Sequence, residues 1–334
     1  MIRRIIVLLT ISLFTLSFIG CSKKNVEDKP VTLVMAEVNP AETIAGQVDQ
    51  AFKQKVEELS DGKIKIDLYC SGVLGDVDTI MTMMQKSGST IHILRMSVQN
   101  MASFGCVKTS LLSIPFTFSN KEHFWNFAES DTAKKLLNEP IAANLGVRGL
   151  YFAEEGFRHF FSTTKITKIE DFAELNVRGT NDAAMQGLIS GVKANSVPVN
   201  FVDLYSAFQT GTVDVAEQPI ANYLANHFPE VAPYMILDGH TLGIMEPVIT
   251  LEAWNSLSEN QQNILIEAGK YAQEFCRNLT NQEEAKVRQQ LEAEGVTITE
   301  VNNITPWQAA CSATIKSASA VDSELYKEIL SLAN

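Results

Sequence analysis

Apolar and polar residues follow two different periods along the chain, one typical of strands and one typical of helices. Residues 63–69 alternate Ile64, Ile66 and Leu68 with charged or polar side chains, the period of a strand with one buried face. Residues 46–59 space their apolar side chains at helical intervals instead. The same periods predict strands at residues 31–35, 91–94, 175–178 and 213–216, and helices at residues 80–88, 182–189 (capped by Asn181) and 202–210. This alternation predicts an α/β fold.

One helix near the C-terminus is predicted to be far longer than the others. Residues 259–294 contain no proline and no turn cluster, Ser258 and Gln261 form a capping box, and Gly295 supplies a stop. About 36 helical residues would span about 54 Å, more than the size of a single small domain. The apolar residues do not keep a heptad over several turns, which disfavours a coiled coil. We therefore expect this helix to lie across two domains.

The N-terminus has the pattern of a targeting segment. Residues 1–4 carry two arginines, and residues 5–19 contain no charge. The following Gly-Cys pair, after Phe-Ile, resembles a bacterial lipoprotein signal, in which the cysteine is lipidated. We therefore predict a signal peptide at residues 1–20, lipidation of Cys21, and a polar tether over residues 21–30, with an uncleaved anchor helix as the alternative. Both alternatives place the body of the protein outside the cytoplasm. In the lipidated form, the protein is lipid-anchored to a bacterial membrane.

Composition excludes several classes of protein. An apolar fraction of 46% with 18 glycines and 10 prolines is that of a globular chain, and 334 residues suit about two domains. The 39 acidic against 27 basic residues argue against nucleic acid as a partner, because phosphate neutralisation drives that binding. Without residues 1–20 the count is 25 basic against 39 acidic residues, a net charge of −14. An anionic ligand would therefore need a local source of attraction.

The chain lacks the motifs of the common catalytic and cofactor sites. There is no dinucleotide or phosphate-binding glycine loop, no nucleophile elbow, and no histidine at metal-ligand spacing. Asp76 and Asp78 suit the start of a helix. We predict no enzyme activity, no cofactor and no metal; an unrecognised hydrolase or lyase site has no positive support. Four further cysteines allow two disulfides or buried free thiols: Cys70, Cys106, Cys276 and Cys311.

One segment carries a resemblance to a known family. Residues 195–219, NSVPVNFVDLYSAFQTGTVDVAEQP, resemble a stretch typical of DctP-type extracytoplasmic solute-binding proteins of tripartite ATP-independent periplasmic (TRAP) transporters. Further segments similar to that family stand in the same order along the chain at residues 62–76, 114–118, 156–164 and 170–178. The resemblance therefore extends through the whole body of the protein.

The resemblance implies a two-lobed clamshell of the periplasmic-binding-protein type. Its expected form is α/β, with two mixed sheets flanked by helices and the long C-terminal helix crossing both lobes. We predict lobe I at residues 31–155 and 244–283, and lobe II at residues 156–243 and 284–334. The ligand would lie in the cleft between the lobes.

The resemblance also implies an arginine that binds a carboxylate. Arg178 matches the family arginine that holds an organic acid by two hydrogen bonds, a role that suits a planar guanidinium. Arg158 matches a second family arginine, whose alternative role is a structural ion pair. Asn181 and Phe201 match positions that line the cleft, Phe201 being equally suited to core packing. Gln218 stands where the family has Asn, and we add Met96, Ser97 and Glu37 to the predicted ligand-binding set.

Several departures from the family pattern leave the ligand open. Gln218 is longer than the usual Asn by one methylene, His92 stands where Asp is common, and residues 95–97 replace a strand that is typically more neutral. Gly-Thr follows Arg178 in place of Val-Pro. A dicarboxylate, a monocarboxylate and a more apolar acid all stay open.

The implied function is that of a transport receptor. Such a protein captures a small organic acid, closes, and delivers it to small and large membrane permease subunits that use an ion gradient. The alternative is a ligand-sensing protein of the same fold, outside the cytoplasm, that presents its ligand to a membrane signalling protein.

Overall fold

The computed structural model describes residues 29–333, so the predicted signal, the lipidation site Cys21 and most of the tether lie outside the described residues. Ten strands are present in this range: β1 Val31–Ala36, β2 Ile64–Tyr69, β3 Ile93–Ser97, β4 Val147–Gly149, β5 Ala153–Ser162, β6 Asn176–Arg178, β7 Asn195–Val197, β8 Val215–Pro219, β9 Tyr234–Thr250 and β10 Thr297–Glu300. All five strands predicted from periodicity are found, as β1, β2, β3, β6 and β8, shifted by a few residues at their ends.

Helices cover both sides of these strands. They are α1 Ile44–Leu59, α2 Val77–Met84, α3 Val98–Ser103, α4 Lys121–Ala128, α5 Asp131–Leu136, α6 Glu139–Ala142, α7 Ala183–Gly191, α8 Leu204–Gln209, α9 Ile220–Ala225, α10 Leu251–Ser256, α11 Glu259–Ala293, α12 Thr305–Ser319 and α13 Ser323–Ser331. Short 3-10 turns lie at Thr109–Ser113, Ile169–Phe172, Phe201–Asp203 and Phe228–Glu230. Among residues 29–333, no helix has both the length and the apolar composition that crossing a bilayer requires.

The strands form a two-lobed α/β fold on one hydrogen-bonded path, in the order β2-β1-β3-β9-β5-β8-β6-β7, with β10 and β4 also paired to β9. Pairing is parallel around β1 in one lobe and around β6 in the other, while β9 runs antiparallel to β3, β4 and β5. The sheets are mixed as expected, but they are not separate. At 17 residues, β9 is long enough to pair with strands of both lobes and joins them.

The long helix α11 is found where the sequence predicts it. Its 35 residues begin after Ser258, whose side chain and that of Gln261 form the capping box, and Glu294 is the C-cap. Gln273 Nε2 donates to the Phe152 carbonyl at 3.0 Å, and Thr280 Oγ1 donates to Glu154 Oε1 at 2.5 Å. These contacts hold the middle of α11 against β5, which belongs to the path that joins the lobes.

Each lobe has an aromatic core. Phe118, Phe124 and Phe127 pack with ring centroids 5.7 to 6.3 Å apart in the lobe of β1. In the lobe of β6, Phe161 contacts Tyr223 and Phe228 at 4.9 and 5.1 Å. These buried rings belong to one continuous hydrophobic core, and their close packing stabilises the elements around them.

Two local predictions are wrong in detail. The N-cap of α7 is Asp182, whose side chain accepts from the amides of Ala184 and Met185, and not Asn181, which is exposed. The helix predicted at residues 202–210 is divided into a 3-10 turn and the shorter α8, and Gly211 follows with φ +71°. Asp182 is one residue nearer to the helix than Asn181 and accepts from both amides. Asp and Asn are both good N-cap residues, so the sequence alone does not decide between two adjacent ones.

The C-terminal segment contacts both lobes. Helix α12 packs on α7, whereas α13 is tied to α4: His123 Nε2 lies 2.8 Å from the Ile329 carbonyl, and Asn126 Nδ2 donates to Leu332 at 3.0 Å. Residues 323–331 therefore contact elements of predicted lobe I, although we predicted them in lobe II. The exact lobe boundaries stay a prediction.

The four cysteines of the body are free thiols in the described structure: Cys70, Cys106, Cys276 and Cys311. Three of them are buried, where a thiol packs as a small apolar side chain. Of the two alternatives from sequence, the structure has buried free thiols rather than disulfides, with Cys70 partly exposed.

Replacing Gly191 tests the packing of α12 on α7. A Cβ at this position would lie 2.5 Å from the Ala310 carbonyl oxygen, so Gly191→Ala must push two backbones apart. We expect a loss of about 1–3 kcal/mol in the free energy of unfolding, as for other overpacked sites, measured by denaturant unfolding. Ser190→Ala, at the exposed neighbouring position, should change stability by less than about 0.5 kcal/mol. A Gly191→Ala protein as stable as wild type would contradict this packing.

Candidate functional site

A cavity of about 100 Å³ lies between the lobes. Its walls come from the ends of β1, β3, β6 and β8, from the start of α2 and from the turn at Phe201–Asp203. Most lining side chains are charged, amide or hydroxyl groups. The lining residues are Val38, Asn39, Asp76, Val77, Asp78, Arg95, Ser97, Asn100, Glu155, Arg158, Arg178, Thr180, Asn200, Phe201, Val202, Gln218, Asn222 and Met245. The carboxyl ends of parallel strands are the usual ligand position in such folds.

Arg178 is a buried cation without an acidic partner in the described part of the chain. It ends β6 and is only 7% exposed. Its Nε donates to the Val199 carbonyl at 3.0 Å, and the guanidinium lies 6.0 Å from the Phe201 ring centre. Burial, with Arg158 nearby and Glu217 opposing, lowers the pKa of Arg178 to about 10. The group thus stays charged at neutral pH, and no carboxylate of residues 29–333 forms an ion pair with it.

Arg158, in contrast, is fully engaged. Its Nε donates to Glu217 Oε2, and its Nη2 lies 2.9 Å from Glu217 Oε1 and 3.2 Å from the Glu217 carbonyl oxygen. The contact arises because β5 and β8 pair antiparallel with Phe160 opposite Glu217, so that Arg158, two residues before Phe160, is a diagonal neighbour of Glu217 on the same face. Arg158 therefore lines the cavity with a charge that Glu217 already balances.

Glu217 is part of a buried chain of charges behind the cavity. His240 lies between Glu217, with Nε2 at 3.5 Å from Oε2, and Asp238, with Nδ1 at 2.7 Å from Oδ2. Although burial opposes it, these two carboxylates raise the pKa of His240 to about 9. Burial also opposes the charge on Glu217, but Arg158 and His240 lower its pKa to about 2. Arg158, Glu217 and His240 are therefore charged at neutral pH.

A second engaged arginine lies on the other side of the cavity. Arg95 on β3 contacts Glu37 through Nε and Glu155 through Nη2, the latter at 3.0 Å. Glu155 in turn accepts from Asn222 Nδ2 at 3.0 Å. Burial opposes the charge on Arg95, but Glu155 and Glu37 raise its pKa above the usual value. Here too the positive charge is balanced within the protein.

Buried Asp49 lies close to this cluster. Neither of its carboxyl oxygens has a hydrogen-bond partner among the described residues. Burial, followed by the neighbouring charge of Glu37, raises its pKa well above the usual value. Its surroundings therefore favour the neutral form of this carboxyl group.

The structure brings five of the predicted site residues to the cavity wall: Arg178, Arg158, Gln218, Phe201 and Ser97. Met96 is not there, because side chains alternate along β3 and it faces the core while Ser97 and Arg95 face the cavity. Asn181 is exposed and does not line the cavity. Glu37 does not line the cavity either; its side chain is hydrogen-bonded to Arg95.

Sequence reasoning missed several cavity residues. Arg95 was visible only as a departure from the family pattern, and Asp76 only as a helix-start residue. Asp76 does cap α2, accepting from Thr79 N at 2.7 Å, and it also lines the cavity. Asn200 Nδ2 donates across the mouth to Asp76 Oδ2 at 3.4 Å. No local signal marks these residues, since they meet only when the lobes face each other.

Sequence comparison decides the family. Bacterial extracellular solute-binding protein family 7 (DctP) matches residues 35–320. The chain belongs to this family. Its members are solute-binding receptors rather than enzymes.

This solute-binding protein has relatives of similar length. It is 21% identical over 269 residues to the C4-dicarboxylate-binding periplasmic protein DctP of Rhodobacter capsulatus, covering 80% of each chain. A TRAP periplasmic solute-binding protein of Pseudomonas putida F1, solved with bound D-glucuronate, superposes with a TM-score of 0.85 at 22% identity, covering 90% and 96% of the two chains. One from Roseobacter denitrificans, solved with L-galactonate, gives a TM-score of 0.80 at 25% identity, covering 92% and 99%.

The geometry of the cleft suits a bound anion. Within residues 29–333 no cluster of His, Cys, Asp and Glu has the arrangement of a metal site. Of the three arginines in the lining, only Arg178 keeps a charge that the protein does not balance. A ligand carboxylate placed there would remove the largest electrostatic cost in the cavity.

The charge chain through His240 predicts a pH dependence of stability. Because the folded pKa of about 9 exceeds the ordinary value of about 6.5, the stabilisation is complete below about pH 6.5 and is lost as pH rises through about 9. We expect wild type to lose about 2–3 kcal/mol over this range, measured by urea unfolding between pH 6 and 9.5.

His240→Gln should be less stable at pH 6 and should show a flatter slope across the same range. His227→Gln is the matched control, because His227 is an exposed histidine, and it should keep the wild-type slope. An unchanged slope in His240→Gln would show that this imidazole is not the titrating group.

Proposed function

We propose that the protein is the substrate-binding receptor of a TRAP transporter, and that it captures a small organic acid with the carboxylate on Arg178. The observation that carries the proposal is the buried Arg178 guanidinium, 7% exposed and without an ion-pair partner among residues 29–333. Family membership supports the receptor role.

A carboxylate is the ligand group that fits Arg178. Its two oxygens match the planar fork of a guanidinium. Nε is used by the Val199 carbonyl, which fixes the side chain in place. In a cavity that excludes water this attraction is much stronger than on the surface. The local charge overcomes the repulsion expected from an acidic protein.

The ligands named for family relatives support an acid as the substrate. The relatives described above are a C4-dicarboxylate-binding protein and proteins solved with D-glucuronate and L-galactonate. These compounds differ in size and hydroxylation but share a carboxylate. We infer that Arg178 is the group of this cavity that would bind such a carboxylate.

Capture requires the lobes to close on the ligand. The cavity draws its walls from both lobes, and Asn200 reaches Asp76 across the mouth. Because the lobes are joined by β5, β9 and α11, a small change in these elements moves one lobe as a body against the other. The closed form would then dock on the small and large permease subunits.

We further propose that the receptor is lipid-anchored through Cys21 and works in the periplasm. The sequence of residues 1–21 supports this part of the proposal. Several acyl chains hold a protein at a membrane more firmly than one chain does. An anchored receptor would stay close to its membrane subunits.

Removing the Arg178 guanidinium tests the proposed carboxylate contact. We expect Arg178→Ala to weaken acid binding by about 2–5 kcal/mol, and Arg178→Lys to bind poorly because the fork is lost. Isothermal titration calorimetry of wild type with galactonate, glucuronate and succinate identifies the acid that binds best. The affinities of the variants are then measured with that acid.

Arg288→Ala is the control for this experiment, since Arg288 pairs with Glu292 and Glu300 at the surface. It should leave affinity unchanged. Affinity of Arg178→Ala within twofold of wild type would overturn the carboxylate assignment.

Closure predicts a change of shape on binding. Small-angle scattering with the acid that binds best should show a smaller radius of gyration at saturation than without acid. Arg178→Ala at the same acid concentration should not become compact. Equal radii for free and saturated wild type would contradict a clamshell receptor.

A further inference from the structure

The cleft is electrically asymmetric. Two of its three arginines, Arg95 and Arg158, already carry ion pairs with glutamates of the protein. Arg178 is the only lining cation of the described structure that the protein leaves unbalanced. The cavity therefore offers one place for a negatively charged group and not two.

The remaining charges in the cavity wall are negative. Asp76 and Asp78 stand at the start of α2, whereas Glu155 is already paired with Arg95. Asp76 is partly buried at the mouth, and Asp78 is exposed. A second carboxylate on a ligand held at Arg178 would share the cavity with these two aspartates. Like charges that line one cavity disfavour binding.

Uncharged polar groups complete the wall. Asn39, Asn100, Asn200, Ser97 and Thr180 all line the cavity. Amides and hydroxyls hydrogen-bond equally well to ligand hydroxyl groups. They carry no positive charge, so they do not compensate a second carboxylate for the hydration that it would lose on binding.

We propose that the cleft selects acids with a single carboxylate and an uncharged polar far end, and that Asp76 and Asp78 are specificity-determining residues that reject dicarboxylates. This inference rests on the proposed function, since it takes the first carboxylate to be bound at Arg178. It separates this protein from a receptor for C4-dicarboxylates.

Matched pairs of acids test the inference directly. Galactonate and galactarate differ only in the oxidation of the terminal CH₂OH to a carboxylate, as do erythronate and meso-tartrate. Butyrate and succinate form a pair without hydroxyl groups. We expect the monocarboxylate of each pair that binds to have at least about tenfold higher affinity than its dicarboxylate. Calorimetric titration at low ionic strength measures the ratio.

The double substitution Asp76→Asn and Asp78→Asn identifies the source of the discrimination. Asn is as good an N-cap as Asp, so the cap that Asp76 provides to Thr79 N is kept. The ratio of monocarboxylate to dicarboxylate affinity should fall at least about threefold, and added salt should reduce the wild-type ratio. Asp203→Asn removes the same charge from an exposed residue outside the lining and should leave the ratio unchanged.

The outcomes separate this inference from the proposed function. A dicarboxylate that binds as tightly as its partner acid, with both dependent on Arg178, overturns the inference and leaves the carboxylate receptor intact. An unchanged ratio in the Asp76→Asn, Asp78→Asn protein overturns the roles of these two residues. If neither glucuronate nor any of these six acids binds, both the inference and the proposed function fail.

Discussion

The binding cleft depends on one buried positive charge that the protein does not balance. A guanidinium removed from water at Arg178 loses hydration, and the structure returns only one backbone contact, to Val199. Arg158 and Arg95 lie in the same cavity but are balanced by carboxylates. Of these three arginines, Arg178 alone lacks an acidic partner in the described structure, so the unbalanced positive charge of the cleft lies there. It concentrates the attraction for an anion at one point in a protein that repels anions elsewhere.

That balance is maintained by elements that run through both lobes. Strand β9 pairs with β3 and β5, and it carries Asp238 and His240, which hold Glu217. Helix α11 is fixed to β5 through Thr280 and Glu154. The groups that set the charges of the cleft therefore lie on the elements that would bend during closure. In the proposed mechanism, ligand binding and lobe movement share one set of buried contacts.

The structure places predicted site residues at the cavity where a short motif carries the information. Arg178 and Phe201 lie in contiguous segments that resemble the family, and the structure places both at the cavity. The misses have local causes. Met96 is next to Ser97, and only the pairing of β3 decides which of the two faces the cavity. Asn181 and Asp182 are both good capping residues, and helix geometry decides between them.

The sequence by itself determined the strands β1, β2, β3, β6 and β8, the length and capping of α11, and the motif that contains Arg178. These features follow from periodicity, capping residues and contiguous segments, all of which are local. Only the tertiary structure decided which arginine is unbalanced. Arg95 meets Glu37 across 58 positions of sequence, and Arg158 meets Glu217 across 59. Such pairs depend on strand order and register, which set charges side by side regardless of their distance along the chain.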